Sequence, residues 1–141
     1  MELLLALPVL LPLGGAGVTL LMRHHARIQL WMAILTLVAI FTVALILGYH
    51  VTQEGVLVLQ IGNWTPQLGI VLVADRLTAL MLVVSNFVTL AVLIYSSAQA
   101  VSENSSRTPV AIYHPTYLGL VAGVSMAFLA GDLFNLYVGF E

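Results

Sequence analysis

The chain has 141 residues, of which 61% are hydrophobic and only 7% charged, with a net charge of -2. A soluble domain carries roughly 45–50% apolar and about 25% charged residues, so this balance excludes an ordinary water-soluble fold. With four Arg, no Lys and no Cys, the sequence also excludes a basic nucleic-acid surface, thiol redox chemistry, disulfides and cysteine-ligated metals.

The first apolar run, Leu3 to Met22, is 20 residues without a charge, the length needed to cross a hydrocarbon core of roughly 30 Å. It follows Met1-Glu2 and precedes Arg23 and Arg27, whereas a cleavable signal puts its positive charges first and has a shorter apolar centre. It therefore reads as a retained helix over 3–22. Pro8 and Pro12 are expected to bend it, and "GGAG" (14–17) to loosen it or admit a neighbour closely. A second span, 28–49, opens at "RHHAR" and closes at "YHVTQE". The adjacent His24 and His25 lack further ligands, so no metal is expected there, and His50 marks the helix end.

Two β-branched runs then flank the turn-rich "GNWTPQLG", the pattern of a hairpin over 55–74. A two-stranded ribbon cannot cross lipid, because its edges leave backbone groups unpaired. It is expected on the membrane surface, with Trp64 at the headgroup level. Asp75 reads as the N-cap of a third span, 77–97, and as a lesser candidate for a transport role; Arg76 beside it reads as an interfacial cation. Thr78, Ser85 and Thr89 fall near one stripe, as interhelical hydrogen-bonding groups would.

Beyond the Ser-rich connector "SENSSRTP" (102–109), one apolar region runs from Ile112 to Glu141, broken only at Gly131-Asp132. A single tilted helix would bury Asp132 at a cost of a few kcal/mol. Two helices avoid that cost: one over 116–130 and a second, incomplete, over 133–141, with Asp132 as its N-cap. In the first, Gly119 and Gly123 form a GxxxG pair suited to close helix packing, with Ala127 one turn on. The chain is thus expected to be an all-α polytopic transmembrane bundle with a β-hairpin between helices two and three. Counting Arg in the short loops sets Arg23, Arg27 and Arg107 against Arg76 and favours an external N-terminus.

Glu141 lies nine residues beyond Asp132, on the order of 13 Å along a helix at 1.5 Å per residue. A carboxyl at such depth must be protonated, paired or wet, and is a functional candidate by default. Tyr137 is one turn back on the same face, Asp132 is half a turn out of phase, and no basic residue lies at that level. His114, at the expected mouth of the helix leading toward Glu141, is the better of the histidine candidates for proton access.

The segment "GDLFNLYVGFE" resembles the signature of the proton-translocating, antiporter-like subunits shared by respiratory complex I and the multi-subunit Mrp-type Na+/H+ antiporters. With "IGNWTPQLGIVLVADRLTALM" and "HPTYLGLVAGVSMAFLAGDLFNLYVGFE", the chain is most similar to the D-type subunits of the Mrp antiporters. The resemblance implies a large helical bundle of two inverted five-helix repeats, in a multi-pass subunit of the cell membrane. It implies that Glu141 is a proton-handling carboxylate working against a lysine on a later helix, and that the chain is an N-terminal fragment. The expected function is exchange of H+ for a monovalent cation, Na+, alongside other membrane subunits, without cofactor, metal or enzymatic activity of its own. Two alternatives remain: a proton-pumping subunit of an NADH dehydrogenase-like assembly, and a structural subunit with Gly119 and Gly123 as its interface.

Overall fold

The computed structural model describes residues 2–62, 69–102 and 110–141; Trp64, Arg107 and the connector around Arg107 lie outside them. The order is α1 (Glu2–Leu21), α2 (Ala26–Glu54), β1 (Leu57–Ile61), β2 (Ile70–Ala74), α3 (Arg76–Ser102), α4 (Val110–Leu129) and α5 (Leu133–Phe140). Among the described residues, α1 to α4 each carry a stretch long and apolar enough to cross a membrane. The chain is a multi-pass membrane protein.

Helix α1 runs through both Pro8 and Pro12, each of which withholds one N–H from the helical ladder. Helix α2 extends beyond the expected end at Tyr49 and His50, because nothing before Gly55 breaks it. Gly55 adopts φ 88° and ψ -150°, a region open essentially only to glycine, and there the chain turns into β1. His50 is therefore inside the last turns, its Nδ1 3.9 Å from the Glu54 carboxylate. Helix α4 starts before the expected residue 116 and includes His114 and Pro115. The strands pair antiparallel, with Leu59 opposite Leu72.

Leu5 of α1 shares a buried cluster with Leu129 of α4, whereas Leu11 and Ala16 pack beside Leu118, so α1 and α4 run antiparallel. The first cluster also holds Leu47, Val51, Leu59, Leu72 and Leu82, seating the inner face of the hairpin on one end of the bundle. Ends of α1, α2, α3 and α4 meet there. Nearer the middle of the bundle, Tyr117 donates its hydroxyl to the Thr89 carbonyl (2.7 Å), tying α4 to α3. Among Thr78, Ser85 and Thr89, Thr78 is the one seen to reach across, donating to the Phe128 carbonyl at 3.3 Å; Thr89 donates to the Ser85 and Asn86 carbonyls of its own helix.

Several polar side chains inside the bundle are tied to backbone. Gln29 Nε2 donates to the Thr19 carbonyl at 2.7 Å, and Asn86 Nδ2 to Leu82 O at 2.8 Å. With lipid outside, helix association depends on close packing and such bonds rather than on escape from water. Small residues make that packing: a Cβ on Gly15 would lie 2.8 Å from both terminal atoms of Thr36 and 3.3 Å from Leu118 Cδ1, whereas one on Gly14 meets nothing within 4 Å. Gly15→Val should therefore destabilise the bundle by about 1–3 kcal/mol through overpacking. Thermal unfolding in detergent should show that loss, with Gly14→Val close to wild type; equal melting of the two variants would contradict this packing.

Asp75 caps α3, accepting from the Thr78 N–H at 2.7 Å. That backbone bond is the main reason its carboxyl titrates below the usual aspartate range. A carboxyl depressed in the folded state contributes stability above its unfolded pKa and loses it as pH falls through the folded value. The melting difference between wild type and Asp75→Ala should therefore stay constant around neutrality and shrink only below about pH 4. A difference that vanishes already at neutral pH would rule the cap out as its source.

Candidate functional site

The site is built on the break between α4 and α5. Gly131 and Asp132 separate the helices; Asp132, at φ -141° and ψ 166°, is in the extended conformation of an N-cap. Its Oδ1 accepts from the Asn135 N–H at 2.7 Å, and its carbonyl from the Leu136 N–H at 3.1 Å, so the new helix starts with its first orphan donor satisfied. The break is also fixed from the side: the Gly131 N–H donates to the Val71 carbonyl at 2.8 Å, and Ala130 forms an antiparallel bridge with Leu72.

From the cap, α5 runs back along α4. A Cβ on Gly123 would lie 2.8 Å from the Gly139 carbonyl oxygen, and one on Gly139 2.9 Å from Ala127 N. The two backbones touch where Gly123, Ala127 and Gly139 meet. Gly119, the other half of the GxxxG pair, meets nothing within 4 Å. The spacing alone did not distinguish a contact made through Gly123 and Ala127 from one made through Gly119 and Gly123, and Gly139 carried no signal until a partner for it was known.

Glu141 continues the helical hydrogen-bond ladder of α5, its N–H donating to the Tyr137 carbonyl at 2.9 Å. Since Gly139 is level with Gly123 and Ala127, Glu141 comes near the middle of the apolar stretch Ile112–Leu129. Its position is two residues, roughly 200° at 3.6 residues per turn, from the face that touches α4. Tyr137 shares that outward face and is 65% exposed, with Leu133 and Phe140 exposed beside it. No described cation lies at this level: Arg23 and Arg27 sit around the α1–α2 loop and Arg76 opens α3.

The other sequence candidates are elsewhere. His114 is buried, with Nδ1 lacking a partner among the described residues, and its ring stands edge-on to Tyr113. It belongs to the α4 stripe of Leu118, Val121, Ser125 and Leu129 that faces the core. Gly123, nine residues on, is half a turn away, so the bundle does not bring His114 to the α5 side of α4. Asp75 and Asp132 are both at the hairpin end, each occupied as a helix cap. Asn135 was not anticipated: it is 2% exposed, the one buried residue of α5, and its Nδ2 has no partner among the described residues. Its position four residues before Gly139 gives the geometric reason, since both fall on the face against α4. Among the described residues no three His, Asp or Glu side chains gather as metal ligands.

No protein-family model matches the chain. It is 37% identical over 139 residues to the Na+/H+ antiporter D subunit of Alkalihalophilus pseudofirmus, a match covering 98% of this chain and 27% of that protein. It is 39% identical over 144 residues to a Rhizobium meliloti protein named as the D subunit of a probable K+/H+ antiporter, covering 98% and 26%. The chain spans about a quarter of the length of the curated relatives it matches. Among solved structures, the Mrp complex from a Dietzia species matches with a TM-score of 0.81 and 33% identity, over 99% of this chain and 25% of that one. An archaeal respiratory complex, the membrane-bound sulfane sulfur reductase, shares the fold with a TM-score of 0.86 at 21% identity, over 100% and 28%.

Proposed function

The chain belongs to the family of Mrp-type antiporter D subunits across the quarter of such a subunit that it spans, and on that premise we propose that it contributes an intramembrane proton path to a monovalent cation/H+ antiporter. The observation that carries the reading is Glu141 itself: an acid held at the middle level of the bundle, on the side of α5 turned away from α4. A carboxyl at that depth gains or loses its proton according to the charges placed around it, which is what a coupled carrier requires. Tyr137, one turn back on that face, supplies a hydroxyl for the path; His114, Asp132 and Asp75 serve it from farther away, as a buried imidazole and two helix caps.

The cation exchanged is Na+, consistent with the name of the Alkalihalophilus relative. The complex includes other membrane subunits in the cell membrane, the N-terminus and hairpin face outward, and the chain acts as a transporter part rather than an enzyme. Glu141→Gln in the full-length subunit tests the reading, by collapse of ΔpH on cation addition to everted vesicles; normal antiport would defeat it. The fold shared with an archaeal respiratory membrane complex favours a second reading, a proton-pumping subunit of a redox-driven assembly. Co-purification with redox subunits would select it.

A further inference from the structure

The β-hairpin is joined to the α4–α5 break by backbone contacts on the free edge of β2. Leu72 pairs with Leu59 on one side and bridges Ala130 on the other, so the junction is seated at one point on the outer edge of β2. The Gly131 N–H donates to the Val71 carbonyl at 2.8 Å. There is no room for a side chain: a Cβ on Gly131 would lie 2.9 Å from Val71 Cγ1, 2.9 Å from Val71 O and 2.9 Å from Val73 Cγ2. One of those atoms is backbone, so the contact cannot be relieved by a rotamer change alone. Just before the junction, Phe128 accepts from Thr78 of α3 at 3.3 Å, and Leu129 is buried with Leu59 and Leu72.

We infer that the hairpin is a positioning element for the proton-handling carboxylate, with Gly131 as its key residue: by seating the helix break on β2 it fixes the depth and rotation of α5, and with them the place of Glu141. The inference rests on the proposed role of Glu141. The geometry accounts for Gly131 in a way that a flexible helix break would not, since a break needing only freedom to turn would not press against two valines and a carbonyl. Any residue at position 131 that bears a Cβ pushes the junction off the strand, and α5 tilts or turns with it.

The test uses the full-length subunit in its complex, in everted membrane vesicles. Gly131→Ala should leave the amount of subunit in the membrane unchanged, lower antiport ~10-fold, as small misplacements of reacting groups do, and displace the pH midpoint of transport. A merely structural lesion would lower the rate without moving that midpoint. Adding Val71→Ala and Val73→Ala removes two of the three obstructing atoms and should restore part of the activity. Wild-type activity and pH profile in Gly131→Ala, or no recovery in the triple variant, would overturn the inference.

Should Gly131→Ala be lost from the membrane, a cysteine pair decides. These 141 residues contain no cysteine, and Leu72→Cys with Ala130→Cys puts two thiols on directly bridged positions, whose Cβ atoms stand about 4.5–5.5 Å apart. Rapid disulfide formation, with at least half the antiport retained after cross-linking, is the expected result. Slow cross-linking would mean the junction is not seated on β2; a block reversed by reductant would mean it must leave β2 during turnover. Either overturns a fixed positioning role. Cross-linking yield is read on a gel without transport, so it stands even if Glu141→Gln proves active and the functional reading fails.

Discussion

In the complete antiporter complex, Glu141→Gln should leave no cation-driven collapse of ΔpH, and Glu141→Asp should leave about a tenth of the rate or less. Glutamine keeps the shape of the side chain and its capacity for hydrogen bonds but removes the site at which a proton binds and leaves. Aspartate keeps that site and withdraws it by one methylene, on an α5 that cannot advance because its backbone touches α4 at Gly123 and Ala127. Proton transfer falls off steeply with distance and alignment, and a positioned acid–base group is worth about 10²–10⁴-fold. The measurement is dye-monitored ΔpH in everted vesicles, normalised to the amount of subunit. A glutamine variant with wild-type rates would remove Glu141 from the path, and an aspartate variant with full rates would mean its position is not critical.

Gly123→Leu should be nearly as damaging for a different reason. The first atom of the new side chain already falls 2.8 Å from the Gly139 carbonyl oxygen, and the rest must occupy the line where α4 and α5 touch. Overpacking of this kind costs about 1–3 kcal/mol when side chains can yield, and here the obstruction is backbone. The expected result is loss of antiport by at least ~10-fold, as for other displaced reacting groups, together with a lower melting temperature of the subunit. Gly119→Leu, at a position with nothing within 4 Å, should perturb melting much less. The pair also separates function from architecture. If Gly123→Leu impairs assembly while Glu141→Gln transports normally, the chain is a packing subunit rather than a proton carrier.

How much of this was legible depended on whether the governing chemistry is local. The spans, the hairpin and the helix break were readable because apolar length, β-branched runs around a turn, and an acid placed to accept orphan N–H groups all act within a few residues. The end of α2 was misread because Tyr49 and His50 look like an interface, yet a helix continues until something stops it, and the stop is Gly55. The expected start of α4 at residue 116 was too late: Pro115 lies inside the helix, in its early turns, where a proline removes few bonds. Burial of Gln29 and Asn135, and the turn of His114 toward the core rather than toward α5, depend on which faces meet, and one sequence does not encode that openly. The same limit hid Gly139 and the seating of Gly131 on β2, each of which makes sense only when its partner element is in place.

The cap at Asp132 and the backbone contact at Gly139 make the intervening stretch a ruler. One end is set by a side-chain hydrogen bond and the other by glycine against glycine, with Asn135 buried against α4 between them. An insertion or deletion is different in kind: a single residue would turn Glu141 by about 100° and shift it by about 1.5 Å. Length between the cap and the acid is therefore what sets the place of Glu141 along and around α5.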